Sequence, residues 1–277
     1  MELKRVNQRP PLKNSDIVLG AIAGDIIGSV YEWHNIKQKD FPLFSEDSDF
    51  TDDTVLTIAI ADALIHNLDI AGTLQRYALK YPDSGYGGRF AKWIYSPDPQ
   101  PYGSYGNGSA MRVSPVGVLS ENRAEVYIFS RKTAEVTHNH KEGIRGALAV
   151  AYGIFLARYG FTKKEIKYWI NHGTGYDMNF TCDEIRRHYR FDVSCQGSVP
   201  QAIVAFMDSK SYEDAIRNAI SIGGDSDTIA CITGGIAAAY YQEVPQYIVE
   251  KILDIIPMEF KEVLYKLDTI KSFRYIK

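Results

Sequence analysis

Cysteine is scarce in this chain and shows no pairing pattern. The 277 residues hold three, Cys182, Cys195 and Cys231. An odd, scattered set excludes a disulfide framework. Cys182, His188 and Cys195 lack the paired spacing of a zinc site, so all three are expected to be structural thiols. Long hydrophobic runs are missing too. The longest, residues 229–241, falls short of the roughly 20 residues that a bilayer span requires. Residues 1–14 are polar and contain proline, with no apolar stretch of the signal-peptide type; they are expected to form a flexible N-terminal segment. Neither sign of charge dominates. A net charge of −3 gives no general attraction to nucleic acid or anionic membrane. Strand-like alternation, internal repeats, low-complexity tracts and Pro/Gly/Ser linkers are also absent. These absences lead to the expectation of a soluble, cytoplasmic monomer that folds as one domain over residues 1–277, without extended nucleic-acid binding or membrane association.

What remains reads as helix. The composition is that of an ordinary globular chain, 45% hydrophobic and 23% charged. Ser15 and Asp16 are cap candidates for a helix over 17–31, in which Gly20, Gly24 and Gly28 recur every fourth residue. That spacing sets the three glycines on one face, where a neighbouring backbone can come close. Residues 55–65 and 229–241 are apolar nearly all round and predict buried helices. Further helices are predicted over 124–136, 143–159, 163–170, 183–189, 199–207, 212–220, 246–255 and 260–270. The expected fold class is all-α, a single compact multi-helix domain.

Two acidic clusters stand out, each at the start of a buried helix. One is Phe50-Thr51-Asp52-Asp53-Thr54; the other is Gly223-Gly224-Asp225-Ser226-Asp227-Thr228. Each alone reads as a helix cap, Thr51 as N-cap in the first and a glycine turn leading into the second. A helix N-terminus carries partial positive charge that a single carboxylate offsets, and two carboxylates exceed that need. Together the clusters offer four carboxylates and two hydroxyls, an oxygen set suited to hard divalent cations such as Mg²⁺ or Mn²⁺. That is enough for two ions held between helix ends, the arrangement of a two-metal hydrolase. Caps and ligands both remain open on the residues alone.

Other motifs surround these. Glu32 falls near the carboxyl end of the first helix, where the dipole disfavours an anion. It is either solvated or buried beside a cation. Asp25 reads as a structural carboxylate bonded to a loop. Residues 103–112, Gly-Ser-Tyr-Gly-Asn-Gly-Ser-Ala-Met-Arg, carry closely spaced glycines whose N–H groups can form an anion-binding hollow. No Gly-Lys-Ser/Thr follows, so this is not a P-loop. Residues 85–89, which include Gly87, are a weaker example of the same type. Thr137-His138-Asn139-His140 precedes a Gly/Ala-rich helix, and hydrogen bonding to phosphate or ribose suits its imidazoles better than a place in an all-oxygen metal set.

Taken in order, these motifs resemble the ADP-ribosylglycohydrolases over residues 20–241. The resemblance rests on Gly24-Asp25 through Tyr31-Glu32, on both acidic clusters, on Ser104-Tyr105-Gly106-Asn107-Gly108 and on Thr137-His138. It implies an all-α fold with two Mg²⁺ or Mn²⁺ ions in a central cleft. Thr51, Asp52, Asp53, Asp225, Asp227 and Thr228 are implied as ion ligands. Glu32 is implied as the acidic residue beside the metals that orients or activates water; for the chemistry itself, Glu32 is expected to act as base and Asp225 to assist the leaving group. Gly87, Ser104, Tyr105, Gly106, Asn107, Gly108 and His138 are implied as ADP-ribose contacts. The implied activity is removal of ADP-ribose from an arginine-, serine- or otherwise-linked acceptor, by cleavage of the glycosidic bond at C1″. Hydrolysis of O-acetyl-ADP-ribose or another small conjugate, and non-catalytic binding of ADP-ribose, are the alternatives. A structural protein with plain helix caps is a third.

Overall fold

A computed structural model describes residues 12–270. The part of the proposed flexible segment formed by residues 1–11 lies outside the described residues. Residues 12–14 belong to the fold: the Leu12 amide donates to Gln242 Oε1 at 2.9 Å, and the first helix already begins at Asn14.

The described residues form helices joined by loops, with one isolated bridge between Gly106 and Ser194 and no strand. In chain order the helices are α1 (Asn14–Gly28), α2 (Asp52–Ile65), α3 (Ile70–Lys80), α4 (Gly88–Trp93), α5 (Gly108–Met111), α6 (Ser114–Leu119), α7 (Arg123–Glu135) and α8 (Lys141–Arg158). There follow α9 (Lys163–Thr174), α10 (Cys182–Arg186), α11 (Cys195–Met207), α12 (Tyr212–Ser221), α13 (Ser226–Tyr241), α14 (Gln246–Ile255) and α15 (Met258–Thr269). A 3-10 turn, Ser29–Tyr31, extends α1 toward Glu32. No described helix is long and apolar enough to cross a membrane. The three cysteines are free and buried, as expected of structural thiols.

The centre of the fold is the α1–α13 pair, which is buried nearly all round. The glycine face of α1 makes the pairing possible. A Cβ on Gly24 would stand 2.0 Å from the Ala230 carbonyl oxygen, and one on Gly28 would stand 2.5 Å from the Asp227 Cα. On the other helix, a Cβ on Gly234 would stand 2.1 Å from the Gly20 carbonyl oxygen. Backbone therefore meets backbone along the seam, a packing that only glycine permits. Its functional result is that the first turn of α13, carrying Asp227, is seated directly on the end of α1.

Helix starts correct one reading. Ser15 and Asp16 do not cap α1; Lys13 occupies the N-cap position without a side-chain bond. The free donors are met from outside, since Asp268 of α15 accepts from the Ser15 amide at 2.8 Å and from its hydroxyl at 2.7 Å. Thr51 does cap α2, accepting from the Asp53 amide. Helices α3 to α6 lie in stretches for which no helix was predicted. For α3 the signal was present: Asp69 caps it and Ile70, Leu74, Tyr77 and Ala78 face the core. The other three span four to six residues and are too short for periodicity to register.

Candidate active site

The two acidic clusters meet across the α1–α13 seam. The first is positioned by Asp25, whose carboxylate lies fully buried in α1. It accepts from the Thr51 amide and hydroxyl at 3.0 and 2.6 Å, and from the Thr54 amide at 3.1 Å and its hydroxyl. The start of α2 is thus bolted to α1, as the structural reading of Asp25 expects. The second is positioned by the turn at Gly223 and Gly224, both at positive φ, 68° and 84°. Thr228 then bridges the clusters, its hydroxyl donating to Asp53 Oδ1 at 3.1 Å.

Glu32 joins from the segment that follows α1. Carboxylate oxygens of Glu32, Asp225 and Asp227 lie within 4.8 Å of one another. Asn35 fixes this approach. Its amide donates to the Glu32 carbonyl at 2.8 Å and to the Gly224 carbonyl at 2.9 Å, while its Oδ1 accepts from the Gly224 amide at 2.6 Å. Of the two readings of Glu32, the structure matches neither fully. It is half-buried, and what surrounds it is anionic.

Electrostatically the cluster is self-repelling. Burial, followed by the charges of Asp227 and Asp25, pushes the Glu32 carboxyl up to about 7. Burial pushes Asp225 up to about 6, against the hydrogen bond from Asn107. Asp52, Asp53 and Asp227 are raised well above the ordinary carboxylate value, by burial first and then by neighbouring charge, that of Asp227 on Asp52 and Asp53 and that of Asp225 on Asp227. Among the described residues, no ion pair reaches any of the five. Asp53 Oδ2 is buried with no hydrogen-bond partner. An orphaned carboxylate oxygen amid uncompensated like charge is costly unless a cation completes it. The residues therefore fit divalent ions with oxygen ligands.

A cavity of about 500 Å³ opens over the cluster. Thr51, Asp52, Asp53, Asp225, Asp227 and Thr228 line it, as does Glu32. So do Gly87, Ser104, Gly106, Asn107, Gly108 and His138. Tyr105 does not: its ring is half-exposed and meets His140 edge-on at 5.5 Å. The Asn107 side chain is occupied within the protein, donating to Asp225 Oδ2 at 2.6 Å and to Ser198 Oγ at 3.1 Å. Its Nδ2 holds an acidic residue, while the residue itself lines the cleft. The loop backbone is anchored on both sides of Gly106, since the Asn107 amide donates to the Val193 carbonyl and the Cys195 amide to the Tyr105 carbonyl.

Sequence reasoning missed several residues of the cavity wall, among them Trp33, Tyr102, Arg112, Phe191 and Val193. Arg112 ended the glycine-rich run and was its only cation, a signal that could have been used. Trp33 and Phe191 stack at 5.3 Å at the cavity mouth, but no motif marks Phe191.

A helical fold that gathers carboxylates from distant helix starts beside a glycine-rich loop places the protein among the all-helical hydrolases. The family model for ADP-ribosylglycohydrolase matches residues 15–272. The chain belongs to the ADP-ribosylglycohydrolase family and is an enzyme of that class. It is 27% identical to ADP-ribosylhydrolase ARH3 of Mus musculus, over 82% of this chain and 84% of that protein. It is 28% identical to ADP-ribosylhydrolase ARH3 of Homo sapiens, over 82% and 85%. Among solved structures, an ADP-ribosylglycohydrolase-related protein complex superposes with a TM-score of 0.70 at 22% identity, covering 94% of this chain and 99% of that one.

Proposed function

We propose that the protein removes ADP-ribose from a modified acceptor by hydrolysing the glycosidic bond at C1″ of the distal ribose, with two Mg²⁺ or Mn²⁺ ions bound. The observation that carries this reading is the single cavity shared by the carboxylate cluster and the 104–108 loop. One end suits a hydroxylated sugar and water, the other a diphosphate. Thr51, Asp52, Asp53, Asp225, Asp227 and Thr228 are the residues that would hold the ions. When bound, divalent ions supply Lewis acidity toward water and ribose hydroxyls. The names of the ARH3 relatives agree with release of ADP-ribose.

The chemistry left to the protein is proton transfer and alignment. Water oxygen bonds to C1″ as the bond from C1″ to the acceptor breaks, and the electron pair leaves with the acceptor, which gains a proton. Glu32, half-buried at the cavity edge beside Asp225 and Asp227, takes the proton from water. Asp225, aligned by Asn107, faces the departing group. Within the 104–108 loop the N–H groups of Ser104, Gly106 and Asn107 are donated inside the protein, and those of Tyr105 and Gly108 are left to bind the diphosphate. The oxocarbenium-like charge that develops at C1″ meets an anionic wall.

The test is a panel of arginine- and serine-linked ADP-ribosyl peptides and O-acetyl-ADP-ribose, each assayed with Mg²⁺, Mn²⁺ or chelator. Release of free ADP-ribose from a peptide, lost in chelator and in Glu32→Gln, is the expected result. Cleavage of O-acetyl-ADP-ribose alone would replace the peptide by a small conjugate. Binding of ADP-ribose without any release would overturn the catalytic reading.

A further inference from the structure

Arg112 is the largest side chain wholly inside the protein, 1% exposed, and it forms no ion pair among the described residues. Its Nη2 donates to the Thr133 carbonyl at 3.1 Å and to the Thr137 hydroxyl oxygen at 2.8 Å. That hydroxyl lies 2.7 Å from Nδ1 of His138. Thr137 is fully buried and His138 nearly so. A guanidinium can only donate, so the Thr137 oxygen spends a lone pair on Arg112 and keeps its own proton. The acceptor within reach of that proton is Nδ1 of His138. Were Nδ1 protonated, the threonine oxygen would accept twice and its own proton would be stranded without an acceptor in a dry interior, which folding disfavours. Nδ1 is therefore bare and the imidazole proton sits on Nε2.

The imidazole is neutral, as this requires. Burial, then the positive charges of Arg112 and Arg89, hold His138 well below its ordinary value of 6.5. Its Nε2 faces the glycine loop, where a Cβ on Gly108 would stand 3.4 Å away and one on Gly106 3.7 Å. No described residue partners that nitrogen, and the ring lines the cavity. Thr137 also grips the loop, its carbonyl accepting from the Ser104 amide at 3.3 Å.

We propose that Arg112, acting through Thr137, is a positioning residue that fixes His138 as the Nε2–H tautomer and aims that N–H at an anionic oxygen in the cleft. The identity of that oxygen as a diphosphate oxygen rests on the function proposed above; the relay itself does not. An aimed donor offers a diphosphate one more hydrogen bond, whereas the other tautomer would present a lone pair and repel it.

The test uses the full chain labelled with ¹⁵N-histidine, and long-range ¹H–¹⁵N correlation to read the protonated ring nitrogen. The His138 signals are identified by their absence in His138→Asn. Wild type and Thr137→Ser are expected to show protonated Nε2 alone. Thr137→Val, nearly isosteric and lacking the hydroxyl, is expected to show a tautomer mixture. In parallel, Thr137→Val should weaken ADP-ribose binding about tenfold, on the scale of one hydrogen bond to a charged group. Thr137→Ser should restore it. In turnover the loss should fall on KM, with kcat held, because the diphosphate lies away from C1″. A wild-type His138 protonated on Nδ1 overturns the proposal, and that spectrum decides even if Thr137→Val does not fold. A folded Thr137→Val with unchanged tautomer and binding overturns it as well. If the tautomer shifts as expected while wild type binds no ADP-ribose, the relay stands and the ligand reading falls.

Discussion

The hydroxyl of Thr228 donates to Oδ1 of Asp53 at 3.1 Å, joining residues 175 positions apart. The other oxygen of the same carboxylate is buried and unpartnered. Asp53 is thus held on one side and left open on the other, in a cluster that keeps its carboxyl raised. Replacing it by asparagine keeps the size and the Thr228 acceptor while removing one charge. Asp53→Asn should lose more than about a hundredfold in ADP-ribose release, on the scale of losing an essential positioned group. Without metal, at pH 8, it should be at least as stable as wild type, because a buried like charge is gone. With Mg²⁺ at a hundred times its dissociation constant, wild type should gain about 2.7 kcal/mol, and Asp53→Asn much less. Thermal melts with and without Mg²⁺ check both halves. Wild-type turnover or an undiminished Mg²⁺ shift in the variant would remove Asp53 from the metal site.

Stability without metal should depend on pH in a defined direction. The Glu32 carboxyl rises from 4.5 to about 7 on folding, and Asp225 from 3.8 to about 6. Such groups bind more protons folded than unfolded. Their contribution is fully present below the unfolded values and is lost as pH rises through 6 and 7. Metal binding demands the ionised forms and therefore releases protons. The Mg²⁺-induced rise in melting temperature should thus grow from pH 5.5 to pH 8, and should grow less in Glu32→Gln. Calorimetry in buffers of differing ionisation enthalpy should show protons released on Mg²⁺ binding near pH 6. A shift independent of pH would mean that the cluster is not what binds the ion.

Much of this was legible in the residues. Two Asp-rich helix starts in opposite halves offered a shared ion site beside the plain reading as caps, and glycines at every fourth position of α1 marked a face where a neighbouring backbone can come close. What could not be read was how side chains share partners across the seam. Asn107 looks like a free ligand-binding amide until its neighbour proves to be Asp225. Asn35 carries no motif, yet it ties the Glu32 segment to the turn before α13 from 189 positions away. Phe191 and Val193 reach the cavity through the bridge between residues 106 and 194, a pairing of single residues with no periodic trace. Tyr105 shows the converse: it sits within the strongest loop motif, but its ring turns outward onto His140.

The glycine seam makes the last prediction, and it supplies its own control. Gly24 and Gly173 are both helical, and by intrinsic propensity alanine is favoured at either by up to about 1 kcal/mol. At Gly173, on exposed α9, nothing lies within 4 Å of an added Cβ. Gly173→Ala should therefore stabilise modestly and leave Mg²⁺ binding alone. At Gly24 the added Cβ would stand 2.0 Å from the Ala230 carbonyl oxygen and 2.3 Å from its carbon. Those are backbone atoms of a buried helix and have no rotamer to escape into. The helices must part, at a cost of about 1–3 kcal/mol or more. Parting them also moves the first turn of α13, with Asp227, away from α2 and its carboxylates. Gly24→Ala should thus lower the urea midpoint and weaken Mg²⁺ binding together, whereas a purely structural seam would lower the midpoint alone. Equal and small effects of both substitutions would mean that α1 and α13 are not in backbone contact, and that the carboxylates are brought together by some other part of the fold.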